Sequence, residues 1–164
     1  MELNQEQSAL ISRLTEKKQM YYRLAFSLVS NEEDALDAIS QMTVRIVENI
    51  HALRSPEAFD AWSKRILINV CKEFWRTNPK TMPIDEALTK ESVSGLDIED
   101  ELIIKQFISR LPEIHWEVIH LRFYLDYEYK EIARILEIPE GTVKSRLNRA
   151  LETLREQMGG ALYG

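Results

Sequence analysis

Between Thr77 and Gly95 the run TNPKTMPIDEALTKESVSG loses helical periodicity and gathers proline, serine and threonine, while the chain on either side repeats its apolar residues at helical spacing. This break is the strongest constraint on the fold. A segment without periodicity has no face to bury and reads as a linker, so each flanking half must close a core of its own. Strand signals are nearly absent, and only five glycines and five prolines punctuate 164 residues. The expectation is an all-α protein of two small helical domains, residues 1–77 and 97–164, joined by a flexible linker over residues 78–96.

In the N-terminal half a first helix is expected from Gln5 to Val29, with Leu10, Leu14, Tyr21, Leu24 and Leu28 in the core. Ser30, with Glu33 three residues on, is the expected capping box of a second helix over Asn31 to His51. That helix has Ala35, Ala38, Ile39, Met42, Ile46 and Ile50 on its apolar side. Ser55 followed by Pro56 marks the start of a third helix, to about Arg76, with the serine hydroxyl as its cap. In the C-terminal half, helical pattern runs through LIIKQFISRL and EIHWEVIHLRFYL and ends in the pair EYKEIARILEI and PEGTVKSRLNRALETLREQM.

That last pair has the layout of a helix-turn-helix: a short amphipathic helix, a turn at Ile138-Pro139, and a longer helix. In such a motif the second helix enters the major groove with its first turns nearest the base edges. Thr142, Lys144, Ser145, Arg146, Asn148 and Arg149 occupy those turns. Arg and Lys donate to guanine, Asn pairs with adenine, and Ser or Thr adapts to either. The turn residue Glu137 stands where glycine is frequent, and it carries strain if its backbone is left-handed.

The third helix, FDAWSKRILINVCKEFWR, interleaves Phe59, Trp62, Phe74 and Trp75 with Lys64, Arg65, Lys72 and Arg76. Rings that stack on bases, set among cations that neutralise phosphates, suit single-stranded DNA. Core packing is the competing use of each ring. Asn69 lies in the apolar run ILINV, where a buried amide needs a partner; its donors and acceptor suit an unstacked base edge or a neighbouring backbone group.

The formal net charge of −6 argues against a general nucleic-acid coat, so any DNA-reading charge must be local. One cysteine, Cys71, permits no internal disulfide, and no Cys/His spacing resembles a zinc site. No phosphate-cradling glycine loop and no paired nucleophile and base are found, so no enzyme activity, cofactor, metal or small-molecule substrate is expected. No apolar run approaches the ~18 residues that span a bilayer, and the N-terminus lacks the order of a signal peptide. A cytoplasmic protein is expected.

Over nearly its whole length the chain resembles the extracytoplasmic-function (group IV) sigma factors of bacterial RNA polymerase. The resemblance rests on YYRLAFSLVSNEEDALDAISQMTVRIVENI with FDAWSKRILINVCKEFWR for region 2, and on LPEIHWEVIHLRFYLDYEYKEIARILEIPEGTVKSRLNRALETLRE for region 4. It implies that Asp37, Gln41 and Arg45 dock on the clamp of the polymerase's largest subunit. It implies that Leu53, Phe59, Trp62, Arg65, Ile66 and Asn69 melt and hold the minus-ten element, with a flipped base among Leu53, Ile66 and Asn69. Region 4 then reads the minus-thirty-five element as duplex while other surfaces touch the polymerase flap. The acidic residues Asp85, Glu86, Glu91, Asp97, Glu99, Asp100 and Glu101 belong to a linker that threads the polymerase's basic channels or is an ordinary solvated one. A sequestering anti-sigma factor, in this family often membrane-bound, is implied as a partner that releases the protein on extracytoplasmic stress.

The chain departs from the family pattern at DAISQMT, with Ser40, Met42 and Thr43 in place of more usual residues. It departs again at Asp126 and Glu128, which replace a glycine and a Ser or Thr. A stand-alone helix-turn-helix regulator is the alternative; it would bind as a dimer and leave the aromatic helix without a role.

Overall fold

The computed structural model describes residues 2–77 and 106–162, all of them helix, turn or loop. The expected linker and its acidic residues lie outside the described residues. The chain divides into two compact units, Met1–Pro83 and Ile84–Gly164.

The N-terminal unit contains α1 (Gln5–Glu16), α2 (Lys18–Val29), α3 (Glu32–Asn49) and α4 (Phe59–Thr77). The single first helix expected from Gln5 to Val29 is two helices. They break at Lys17, whose backbone leaves helical geometry (φ −102°, ψ 22°) and whose ammonium reaches Asp60 Oδ2 at 3.2 Å. The five core positions expected there are all buried. Burial of each large apolar side chain contributes about 1.5–3 kcal/mol, and here α2, α3 and α4 bury theirs against one another.

The cap of α3 also differs from expectation. Ser30 closes α2 in a left-handed conformation (φ 64°), and it is Asn31 whose side chain accepts from the Asp34 amide at 2.8 Å. Asn31 takes the role because it is extended (φ −147°), the geometry an N-cap requires. Ser55 likewise makes no side-chain cap; Pro56–Ala58 form a 3-10 turn that leads into α4. Cys71 is buried, and burial pushes its thiol up to about 12, which leaves it inert.

The C-terminal unit contains α5 (Glu113–Ile119), α6 (Tyr129–Leu136) and α7 (Glu140–Leu162). The expected continuation of α5 widens into a π-helical segment, His120–Tyr124, with Leu125 N–H bonding the His120 carbonyl at 3.2 Å. Along it the rings of Trp116, His120 and Tyr124 stack, with centroids 4.6 and 4.8 Å apart. His120 is buried, and burial holds its imidazole down to about 3.

Candidate nucleic-acid interface

In the C-terminal unit, α6 buries Ile132, Ile135 and Leu136, and α7 buries Val143, Leu147, Ala150 and Leu154. Between them Glu137 is left-handed (φ 53°, ψ 48°), and the Ile138 amide bonds the Ala133 carbonyl at 3.1 Å. The turn therefore has the backbone that favours glycine, with a glutamate in it. Asp126 (φ 56°) is left-handed too. Glu128 precedes α6 without a side-chain cap.

Burying the apolar stripe of α7 sends Lys144, Ser145, Asn148 and Arg149 to the exposed face, with Thr142 half-buried at its start. Ser145 Oγ donates to the Thr142 carbonyl at 3.0 Å. Arg146 departs from the expected set. Its guanidinium turns inward to within 3.8 Å of the Glu117 carboxylate, because position 146 falls on the flank of the helix facing α5. Burial first, then the charges of Arg149 and Arg146, hold the His115 imidazole below its usual value.

Arg122 and Lys144 lie over the Tyr129 ring, 5.5 and 5.9 Å from its centroid. With Lys130 and Glu128, Arg122 and Tyr129 edge a shallow cleft beside the start of α6. Sequence reasoning passed over this cluster. Glu128, Tyr129 and Lys130 are consecutive, but Arg122 and Lys144 stand apart from them; the signal was the cation density flanking the first helix of the motif.

In the N-terminal unit, α4 buries Phe59, Ser63, Leu67, Ile68, Val70, Cys71 and Trp75. Trp62, Arg65, Ile66 and Asn69 follow at helical spacing on the other side, the first three half-buried and Asn69 exposed. Those four form one face. Asn69 points outward, so no desolvation cost falls on its amide. Phe59, expected among the DNA contacts, is fully buried and has no ring face to offer a base. Trp75 is also core, its indole N–H donating to the Leu28 carbonyl at 2.6 Å. Leu53 is half-buried in the loop before α4. Three bonds brace α4 against the junction ahead of α2 and against α2 itself: Lys17 to Asp60, Tyr21 to Ser63 at 2.6 Å, and Trp75 to Leu28.

The outward face of α3 carries Asp37 and Gln41, both exposed, among Leu36, Val44 and Val47, which are 43%, 55% and 39% exposed. These partly exposed apolar side chains share one helix face and make it a candidate contact surface. Arg45 is not a free cation there: it clasps Glu73 of α4 through two bonds of 3.1 and 2.6 Å. The same clasp lowers the Glu73 carboxyl and raises the Arg45 guanidinium.

The family model Sigma-70 region 2 matches residues 14–81, and Sigma-70, region 4 matches residues 107–156. RNA polymerase sigma factor SigV of Bacillus subtilis is 33% identical over 91% of this chain and 90% of its own length. ECF RNA polymerase sigma factor SigW of the same organism is 30% identical over 86% and 84%. Among solved structures, the sigma factor RpoE in complex with the anti-sigma factor NepR from Bartonella quintana shares the fold, with a TM-score of 0.60 and 21% identity over 90% of this chain and 94% of that one. This chain belongs to the extracytoplasmic-function sigma factors of the sigma-70 family.

Proposed function

We propose that this protein is an alternative sigma factor that joins core RNA polymerase, confers promoter specificity and is held inactive by an anti-sigma factor until extracytoplasmic stress releases it. One observation carries the reading: a single chain presents two solvent-accessible helix surfaces of different chemistry. The α7 surface has hydrogen-bonding and cationic side chains for duplex; the α4 surface combines a ring, a cation and an amide for unpaired strand.

In this reading residues 1–77 form the clamp-binding and minus-ten unit, residues 78–96 the linker, and residues 97–164 the minus-thirty-five unit. The Leu36, Val44 and Val47 row, with Asp37 and Gln41, docks on the polymerase clamp, since apolar area set among polar groups gives both affinity and register. Thr142, Lys144, Ser145, Asn148 and Arg149 read base edges in the major groove. Arg122 and Lys130 neutralise flanking phosphates, which fixes register without reading sequence.

On the melted strand, Trp62 offers a stacking surface, Arg65 meets the backbone, and Leu53, Ile66 and Asn69 receive an unstacked base. Bond making and breaking belong to the polymerase. No helix among the described residues is long and apolar enough to cross a membrane; under the proposed function the protein is cytoplasmic, with an anti-sigma factor able to hold it at the membrane.

Promoter-dependent transcription with purified core polymerase tests the proposal. Initiation that requires both core and this chain is the expected result. Tight duplex binding by a dimer of the chain alone, with no initiation, would overturn it in favour of a stand-alone regulator.

A further inference from the structure

On α4, Trp62, Ile66, Asn69 and Glu73 recur at intervals of four, three and four residues, so a carboxylate continues the face that carries the ring, the aliphatic surface and the amide. Glu73 is exposed, with 49% of its side chain open to water. A fixed anion on a surface that meets a polyanion opposes binding. The compensating charge comes from another helix. Arg45 of α3 reaches across, its Nη1 donating to Glu73 Oε1 at 3.1 Å and its Nη2 to Glu73 Oε2 at 2.6 Å.

We propose that Arg45 is a positioning residue for strand binding: by clasping Glu73 it cancels the carboxylate on the α4 face and lets the phosphates of the separated promoter strand approach Trp62 and Asn69. The inference rests on the strand-reading role proposed above for α4. It also takes Arg45 out of the polymerase-contacting set that the family resemblance implied.

Two parallel bonds from a planar guanidinium fix the carboxylate in one orientation, which a single point contact does not. The partners stand 28 residues apart, so the pair exists only where α3 and α4 pack. Arg76, on the same helix as Glu73, also acts on that carboxyl through space, more weakly than Arg45 does. Glu48 acts in the same way on Arg45. An ion pair this open to water adds little to folding, whereas the same charge set beside phosphates changes binding directly.

The clasp is tested with core polymerase carrying the full chain, titrated with fluorescent single-stranded DNA decamers of mixed sequence at several salt concentrations, with core alone as the baseline. Affinity of the chain for core is measured in parallel. Arg45→Met keeps most of the length of the side chain and removes its charge. It should weaken decamer binding about three- to tenfold, the scale of one charge at phosphate distance, with a loss that shrinks as salt rises. Core affinity and thermal unfolding should stay near wild type. Arg45→Lys, which keeps the charge, should bind decamers nearly as wild type does.

The decisive protein combines Arg45→Met with Glu73→Gln. It should recover wild-type decamer binding, because the anion leaves together with its partner. Decamer binding that is unchanged in Arg45→Met, or that stays low in the double variant, would overturn the proposal and make the pair a brace between α3 and α4. Core affinity that falls in Arg45→Met and is not restored by Glu73→Gln would overturn it too, and return Arg45 to the polymerase contacts. Those results leave the sigma-factor reading standing. A wild-type complex that retains no more decamer than core alone would overturn the strand-reading role and the clasp with it.

Discussion

The Arg146 guanidinium on α7 lies 3.8 Å from the buried carboxylate of Glu117 on α5, while Arg149, one turn further along α7, is exposed. Two arginines of one basic cluster therefore do different work. Arg146→Ala strips a counter-charge from a buried carboxylate and should lower the stability of the C-terminal unit by about 1–3 kcal/mol, seen as a lower urea midpoint. Arg149→Ala should leave that midpoint unchanged and weaken binding to minus-thirty-five duplex by about 1–3 kcal/mol.

Asn69 and Phe59 divide in the same way. Asn69→Ala removes an exposed amide, so thermal unfolding and duplex binding should match wild type while permanganate reactivity of the melted promoter falls. Phe59→Ala empties a fully buried site and should cost about 3–5 kcal/mol of stability. A Phe59→Ala protein that unfolds like wild type but fails only in strand opening would show the ring to be a DNA contact after all.

Glu137 holds a left-handed backbone (φ 53°) at the turn between α6 and α7. A side chain there costs about 1–2 kcal/mol, partly offset by the greater freedom that glycine adds to the unfolded chain. Glu137→Gly should raise stability by about 0.5–1 kcal/mol, measured by urea unfolding, and leave DNA selectivity intact.

His120 gives the C-terminal unit a pH dependence. Its unfolded value is 6.5 and burial lowers the folded value to about 3, so between these limits the unfolded chain binds the extra proton. The stabilisation is full above pH 6.5 and is lost as pH falls toward 3. At pH 5 the loss should reach about 2 kcal/mol, at 1.36 kcal/mol per unit. His115, lowered chiefly by burial and then by Arg149 and Arg146, acts in the same direction. His120→Phe, which can keep a ring between Trp116 and Tyr124, should flatten most of this slope in urea midpoints taken from pH 7 to pH 5.

Much of the fold could be read from periodicity. The two helical halves, the helix-turn-helix and the core residues Leu10, Leu14, Tyr21, Leu24 and Leu28 all follow from it. The break at Lys17 could not, because its partner Asp60 is 43 residues away, and the widening at His120 arises where its ring packs between two others. At the candidate interfaces, helical spacing identified the exposed face of α7 but could not tell that Arg146 turns toward Glu117. Nor could it tell which rings of FDAWSKRILINVCKEFWR go inside, since Phe59, Trp62 and Trp75 differ only by their angle around one helix. The Leu36, Val44 and Val47 row was missed because a buried stripe already accounted for the apolar residues of α3.

The bracing of α4 has a mechanical consequence. A helix anchored near its start by Asp60 and Ser63 and near its end by Trp75 behaves as a beam clamped at both ends. Under the proposed function, a duplex opened against its outer face would load α2 and the bundle behind it, so the helix would keep its shape while the DNA yields.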